Sequence, residues 1–406
     1  MSIIDIITKK KNKNELTYEE LFMAFNGYLK GEVKDYQMSS LLMAITINGM
    51  TLNETISLTD IFIKSGKVYQ FNKKVADKHS TGGVGDTTTF IVAPIVASMN
   101  IPMAKMSGRS LGYTGGTIDK LESIPGYKTE LTEEEFYNQI DKIGLAVCSQ
   151  SDKLVPLDKI IYALRDVSGT TESIPLIACS IMSKKIASGA SYIVIDVKVG
   201  SGALIKTKEE ADLFASWVIS IGNHYNKKVK TIITRMDEPL SSSIGNALEI
   251  LEAIEVLKGK NNRLKEVSIE IASHIVSMAK NISVDDAKIL ANNALKKGSA
   301  YKMFEKWITT QGGDINAIKV SDKVFYLKSN VTGEIKSISA LNCAKLSLKL
   351  GAGKINKDDI IDHSVGIKIL HQVGDKINKD VILAEIFVKD FNLNLTEEDL
   401  KLFVIN

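Results

Sequence analysis

From about residue 70 the chain alternates short apolar runs with amphipathic helical stretches, and this alternation restricts the fold more than any other feature. "IPMAKMS", "GLAVCS", "SYIVIDVKVG" and "KVKTIITRM" are rich in β-branched residues and bounded by turn formers, as strands are. Strands that alternate with helices build a mostly parallel sheet covered on both faces.

The flanks read differently. Residues 1–65 carry helical spacing throughout. "LTYEELFMAFNGYL" places Thr17 three residues before Glu20, a capping box, and follows with apolar Leu21, Phe22, Phe25 and Leu29. A second helical stretch, about 157–190, lies between two of the strands and is expected to pack back on the first. After residue 325, "KVFYLKSNVTGEIKSI" and "VGIKILHQVGDKINKDVILAEIFV" are short alternating segments separated by Gly, Asn and Asp turns. The expected class is α/β with a separate helical domain: a mostly parallel mixed β-sheet flanked by helices, a small helical domain, and a C-terminal β-rich α+β domain. The expected domains are 1–65 plus about 157–190, 70–156 plus 191–325, and 326–406.

Composition removes several functions. With 51 basic and 48 acidic residues the net charge is +3, which gives no surface built for nucleic acid or anionic lipid. Cys148, Cys179 and Cys343 are far apart and form no CxxC spacing, so neither a zinc site nor a disulfide framework is expected, and a reducing cytoplasm fits. No apolar run reaches the roughly 18 residues of a membrane span, and the N-terminal apolar patch precedes its charges, the reverse of a signal peptide. A soluble, cytoplasmic protein is expected.

The stretch "DKHSTGGVGDTTTF" then asks what it holds. Gly82, Gly83 and Gly85 between a strand and a helix let backbone N–H groups face an anion, Ser80, Thr81, Thr87 and Thr89 add hydroxyl donors, and Lys78 adds a charge. The loop matches neither GxxxxGK[ST] nor GxGxxG, and tight-turn glycines with a helix cap would look the same. "AKMSGRSLGYTGGTIDKLESIPG" repeats the arrangement: it ends a strand, presents Lys105, Ser107 and Thr117 among glycines, and enters a helix at "TIDKLES". Two such loops at strand ends are suited to one anion gripped from two sides.

A third cluster has other chemistry. In "YALRDVSGTTESIPLIACSIMSKKIA", Ser180 and Lys184 lie four apart on one helical face, and Arg165 precedes them. An arginine, a serine and a lysine converging on a planar ring could hydrogen-bond its carbonyl oxygens and N–H edge; on spacing alone the plainer reading, Arg165 as a surface residue, carries more weight.

"KHSTGGVGDTTT" and "KMSGRSLGYTGGTIDKLESIPG" closely resemble the signatures of the thymidine and pyrimidine-nucleoside phosphorylases, and the resemblance continues through "YALRDVSGTTESIPLIACSIMSKKIASG" and "SIGNALEILEA" to "LGAGKINKDDIIDHSVGI". It implies a homodimer whose helical and α/β domains close over a cleft. The implied reaction is reversible phosphorolysis: pyrimidine nucleoside plus phosphate gives free base plus pentose 1-phosphate, without an organic cofactor. Carried over by position, Lys78, Ser80, Thr89, Lys105, Ser107 and Thr117 bind phosphate; His79, Arg165, Ser180 and Lys184 face the base, with Tyr162 and Ile177 beside them. His79, Arg165 and Lys184 are the implied catalytic residues. The resemblance also implies a monovalent cation such as potassium near Gly85, Thr87, Leu240, Ser243 and Glu252. The chain departs from the pattern there, with Ser241, Ser242 and Ser243 in place of a Gly-Tyr-Ala stretch, and again at Ser110 and Tyr113.

Lys105 bears on breadth. The strict thymidine phosphorylases place methionine where this chain has lysine, so the resemblance implies uridine, thymidine and deoxyuridine as substrates, with a strict thymidine phosphorylase as the alternative. An anthranilate-type phosphoribosyltransferase shares the plan but needs magnesium, for which Asp86 and Asp119 are the candidate ligands without a paired-carboxylate motif. A tubulin-type nucleotide switch fails on the second loop. A lipoyl or biotinyl domain fails because Lys368 sits mid-strand instead of at a hairpin tip. His224, His274, His363 and His371 lie outside the signatures and read as surface or packing residues.

Overall fold

The computed structural model describes every residue except 1, 110–114, 355–358 and 393. Four helices open the chain: α1 (Ile3–Lys11), α2 (Tyr18–Leu29), α3 (Asp35–Asn48) and α4 (Leu52–Lys64). The Thr17–Glu20 capping box is present, and Ser2 with Asp5 and Thr51 with Glu54 repeat it. Glu54 does more than cap, since it also accepts two bonds of 2.8 Å from buried Lys10.

Next come β1 (Val75–Ser80), α5 (Thr88–Ala97), β2 (Met103–Ser107), α6 (Thr117–Glu122), α7 (Glu133–Ile143) and β3 (Leu145–Ser149). After them run α8 (Pro156–Ser168), α9 (Ile174–Ala187), β4 (Ala190–Val199), α10 (Lys208–His224), β5 (Lys228–Arg235), β6 (Ser243–Ile244) and α11 (Asn246–Leu257). Helices over Arg263–Lys280, Val284–Lys296 and Ser299–Thr310 precede the C-terminal strands β7 (Val324–Lys328), β8 (Gly333–Ile338), β9 (Gly366–Ile369), β10 (Lys376–Ile377), β11 (Ile382–Phe387) and β12 (Phe403–Ile405).

The largest sheet has five strands in the order β3-β2-β1-β4-β5. β2 and β3 pair in parallel, from Met103 opposite Leu145 to Ser107 opposite Ser149. The strand order reverses beside β1, and in open α/β sheets the crevice for ligands lies at such a switch point. The first glycine loop leaves β1 at this place. Two antiparallel sheets, β10-β8-β12 and β6-β9-β11-β7, make up the β-rich C-terminal part. β7 and β8 fall in different sheets, and Lys368 lies within β9 opposite Glu385.

The chain forms two compact units. The first comprises Met1–His79, Gln150–Ile195 and Thr207–Thr231; in it α9 packs on α4, and α10 packs on α9. The second comprises Ser80–Ser149, Asp196–Lys206 and Ile232–Asn406. Its centre is α5, all ten of whose residues are buried, as a helix apolar on every side requires. Phe90 of α5 stacks on Trp307, whose Nε1 donates to Gln311 at 2.8 Å. All three cysteines are buried free thiols, and burial pushes Cys148 and Cys343 up to about 12. Among the described residues no helix is long and apolar enough to cross a membrane.

Candidate active site

In the first unit α8 and α9 assemble the charges. Lys184 lies one turn after Ser180 on α9, and its ammonium donates to Ser180 Oγ at 3.0 Å and to Asp158 Oδ2 at 2.7 Å. Asp158, Tyr162 and Arg165 share one face of α8 at helical spacing. The Tyr162 ring centroid lies 5.7 Å from the Arg165 guanidinium carbon and 5.9 Å from the Lys184 nitrogen, so one aromatic ring attracts both cations. Arg165 is buried and not a surface residue. Its Nε and Nη2 donate to the carbonyls of Thr170 and Thr171 at 3.1 and 2.9 Å, which fixes the guanidinium and directs its remaining donors. Burial lowers its pKa, and Tyr162 and Asp158 oppose that shift. Ile177 is buried one turn before Ser180.

Lys78 and His79 belong to the same unit, on β1. Lys78 is buried and His79 half-buried. Asp77, beside them, accepts the Lys78 N–H at 2.7 Å and pairs with buried Lys185 at 2.7 Å, anchoring the strand end to α9. Asp77, Lys185 and Asp158 were missed in the sequence. Asp158 had a signal, since it stands four residues before Tyr162; Lys185 had none.

In the second unit the first loop is shaped by backbone. Gly82 and Gly85 have φ of 100° and 66°, where other residues are strained. A side chain at Gly85 would also meet Ser241 Oγ at 2.5 Å. The Gly82 N–H points to Ser80 Oγ at 3.3 Å, Val84 is held by Met236 and Leu240, and Asp86 caps α5 by accepting the Thr88 N–H and hydroxyl. Thr89 is buried at the start of α5. On the second loop Lys105 is buried in β2, Ser107 ends that strand half-buried, and Thr117 opens α6. Ser110 and Tyr113 lie outside the described residues.

The two candidate magnesium ligands have other duties. Asp86 serves Thr88 and stands 3.8 Å from Lys198, and Asp119 accepts from the Gly116 N–H and pairs with Arg109. Among the described residues no group of three His, Cys, Asp or Glu could hold a metal ion.

The candidate cation ligands are oxygen donors in the second unit. Thr87 Oγ1 is buried with no partner among the described residues, as an atom aimed at a ligand would be. The Ser243 carbonyl accepts from Ser241 Oγ at 2.6 Å. Glu252 accepts from Ser242 Oγ, from Asn262 and from the N–H groups of Ser242 and Ser243, and Lys260 stands 3.7 Å away. Leu240 is buried alongside. Of these donors only Thr87 Oγ1 lacks a partner among the described residues; the Ser243 carbonyl and Glu252 already accept hydrogen bonds within the fold.

Comparison with known proteins covers the same segments. Residues 4–66 match "Glycosyl transferase family, helical bundle domain", residues 72–301 match "Glycosyl transferase family, a/b domain", and residues 334–401 match "Pyrimidine nucleoside phosphorylase C-terminal domain". The pyrimidine-nucleoside phosphorylase of Geobacillus stearothermophilus is 44% identical over 399 residues, covering 95% of this chain and 92% of that protein. That of Bacillus subtilis (strain 168) is 43% identical over 406 residues, covering 97% and 94%. The chain belongs to the pyrimidine-nucleoside phosphorylase family. The anthranilate phosphoribosyltransferase of Thermus thermophilus shares the fold at a TM-score of 0.62 and 16% identity, over 76% of this chain and 99% of that one. That likeness speaks to architecture alone.

Proposed function

We propose that the chain catalyses reversible phosphorolysis of pyrimidine nucleosides, including uridine, thymidine and deoxyuridine, to free base and (deoxy)ribose 1-phosphate. The observation that carries this reading is the Lys184–Ser180–Tyr162–Arg165 cluster, two cations fixed beside one aromatic ring with donors to spare. Cleaving the glycosidic bond leaves the base with negative charge, and Arg165, Lys184 and His79 stabilise that leaving anion; a preorganised donor of this kind is worth about 3 kcal/mol. Phosphate is the nucleophile, bound by Lys78, Ser80, Thr89, Lys105, Ser107 and Thr117, and no covalent enzyme intermediate is needed.

Lys105 supports the broad substrate range. Thr87, Ser243 and Glu252, with the carbonyls of Gly85 and Leu240, would hold a monovalent cation such as potassium, whose charge would order the first loop. The enzyme is read as a cytoplasmic homodimer. The test is to incubate pure protein with uridine, thymidine or deoxyuridine, with and without phosphate, and to follow free base by absorbance. Release dependent on phosphate and independent of magnesium is expected. Release that persists equally without phosphate would make the chain a hydrolase.

A further inference from the structure

The buried ammonium of Lys120 connects the two loops of the second unit. It lies one turn into α6, three residues after Thr117, and is 2% exposed. Its Nζ donates to the backbone carbonyl of Asp86 at 3.0 Å, in the first loop between Gly85 and Thr87. The same nitrogen pairs with Glu249 Oε2 on α11 at 2.6 Å. Glu249 is itself fixed, because its Oε1 accepts the Gly245 N–H at 3.2 Å. At the other end Asp86 is immobilised by capping α5. A Cβ on Gly115 would stand 3.4 Å from Lys120 Cε, so the second loop runs in contact with the lysine stem.

We infer that Lys120 is a positioning residue for anion binding: it ties the carbonyl beside the first glycine loop to the helix that opens the second, and so sets the spacing between Thr89 and Thr117. Lys120 does not touch the anion. A buried charge is costly unless paired, and here one ammonium meets a carboxylate and a carbonyl from two different segments, an arrangement that fixes distance as well as stability. Phosphate gripped from two sides is sensitive to that distance in a way that the nucleoside cluster of the first unit is not. The inference rests on the proposed assignment of the two loops to phosphate.

The test is the double variant Lys120→Met/Glu249→Gln, which removes the ammonium without leaving an unpaired buried carboxylate. KM for phosphate is expected to rise about tenfold while KM for uridine stays within about threefold, with a cooperative thermal melt retained. Calorimetric titration with inorganic phosphate gives the same reading without turnover, so the strap can be judged even if wild type releases no base. Equal shifts in both KM values, or unchanged phosphate affinity in a folded double variant, overturn the inference. Should the double variant not fold, Glu249→Gln alone keeps the bond to Asp86 but loosens its anchor. A rise in phosphate KM of about threefold with uridine KM unchanged then supports the strap, and parallel or absent changes refute it.

Discussion

The first unit positions its working groups with side chains, the second with backbone. Lys184 is held by Asp158 at 2.7 Å, and Arg165 spends two donors on the carbonyls of Thr170 and Thr171. The loop around Gly82 and Gly85 takes its shape from positive φ angles, from the cap at Asp86 and from contacts with Met236 and Leu240. The proposed chemistry would account for the contrast. A leaving base needs concentrated charge at one edge, which long cationic side chains supply only if counter-groups stop them from moving. A phosphate needs many donors spread around it, which turns and helix starts provide.

The comparison breaks most visibly if the side-chain cluster is cut. Arg165→Ala and Lys184→Ala are each expected to lower kcat/KM for uridine by at least ~10²-fold, because the charge they face grows in the transition state. Near-native turnover in either variant would remove the cluster from the base site.

Lys105→Met addresses the loop side. A thioether offers no donor, so a ribose 2′-hydroxyl is left without a partner, at about 1–3 kcal/mol or tens of fold. Uridine activity is expected to fall more than thymidine activity by that factor. Equal losses, measured as the ratio of kcat/KM values for the two nucleosides, would mean that Lys105 only neutralises phosphate.

Asp158→Asn sharpens the contrast further. The amide still accepts from Lys184 but no longer opposes its charge, so kcat/KM for uridine should drop about tenfold, the scale of one weakened charge-assisted bond. Phosphate KM is expected to stay within about twofold. A parallel rise in phosphate KM would show that the counter-charge serves both clusters.

The same contrast governs what could be read from sequence. Local patterns were legible: the Thr17 cap, the four apolar strands, and Ser180 with Lys184 one turn apart on α9 all follow from residues near one another in the chain. β1 was not among the strands quoted, because "VADKHS" carries a buried Asp and Lys where an apolar run was sought. Partners distant in the chain left no trace. Lys185 meets Asp77 across 108 residues, and Lys120 meets Glu249 from another helix. No periodicity encodes such pairs. β7 and β8 show the same limit, since a Gly/Asn turn marks a strand end without saying which sheet the next strand joins.

The smallest effect expected lies in the second unit, at His363. The ring is half-buried, and its Nδ1 has no partner among the described residues. Its carbonyl accepts the Ala247 N–H, which places it against the start of α11. Burial lowers its pKa from the usual 6.5; Glu122, Asp119 and Asp362 oppose this, and Arg109 reinforces it. The sign of the effect follows directly. A folded-state value below the unfolded one means that the fold prefers the neutral ring, so the stabilisation is present above pH 6.5 and is lost as pH falls through the folded value. Wild type should therefore lose Tm between about pH 7.5 and about pH 5, and His363→Gln, neutral throughout, should lose less. The other four histidines are present in both proteins, so the difference between the two curves isolates position 363. Coincident Tm–pH curves would take His363 out of the balance, whereas a gap confined to the acid side would show that protonation of this one half-buried ring weakens the fold.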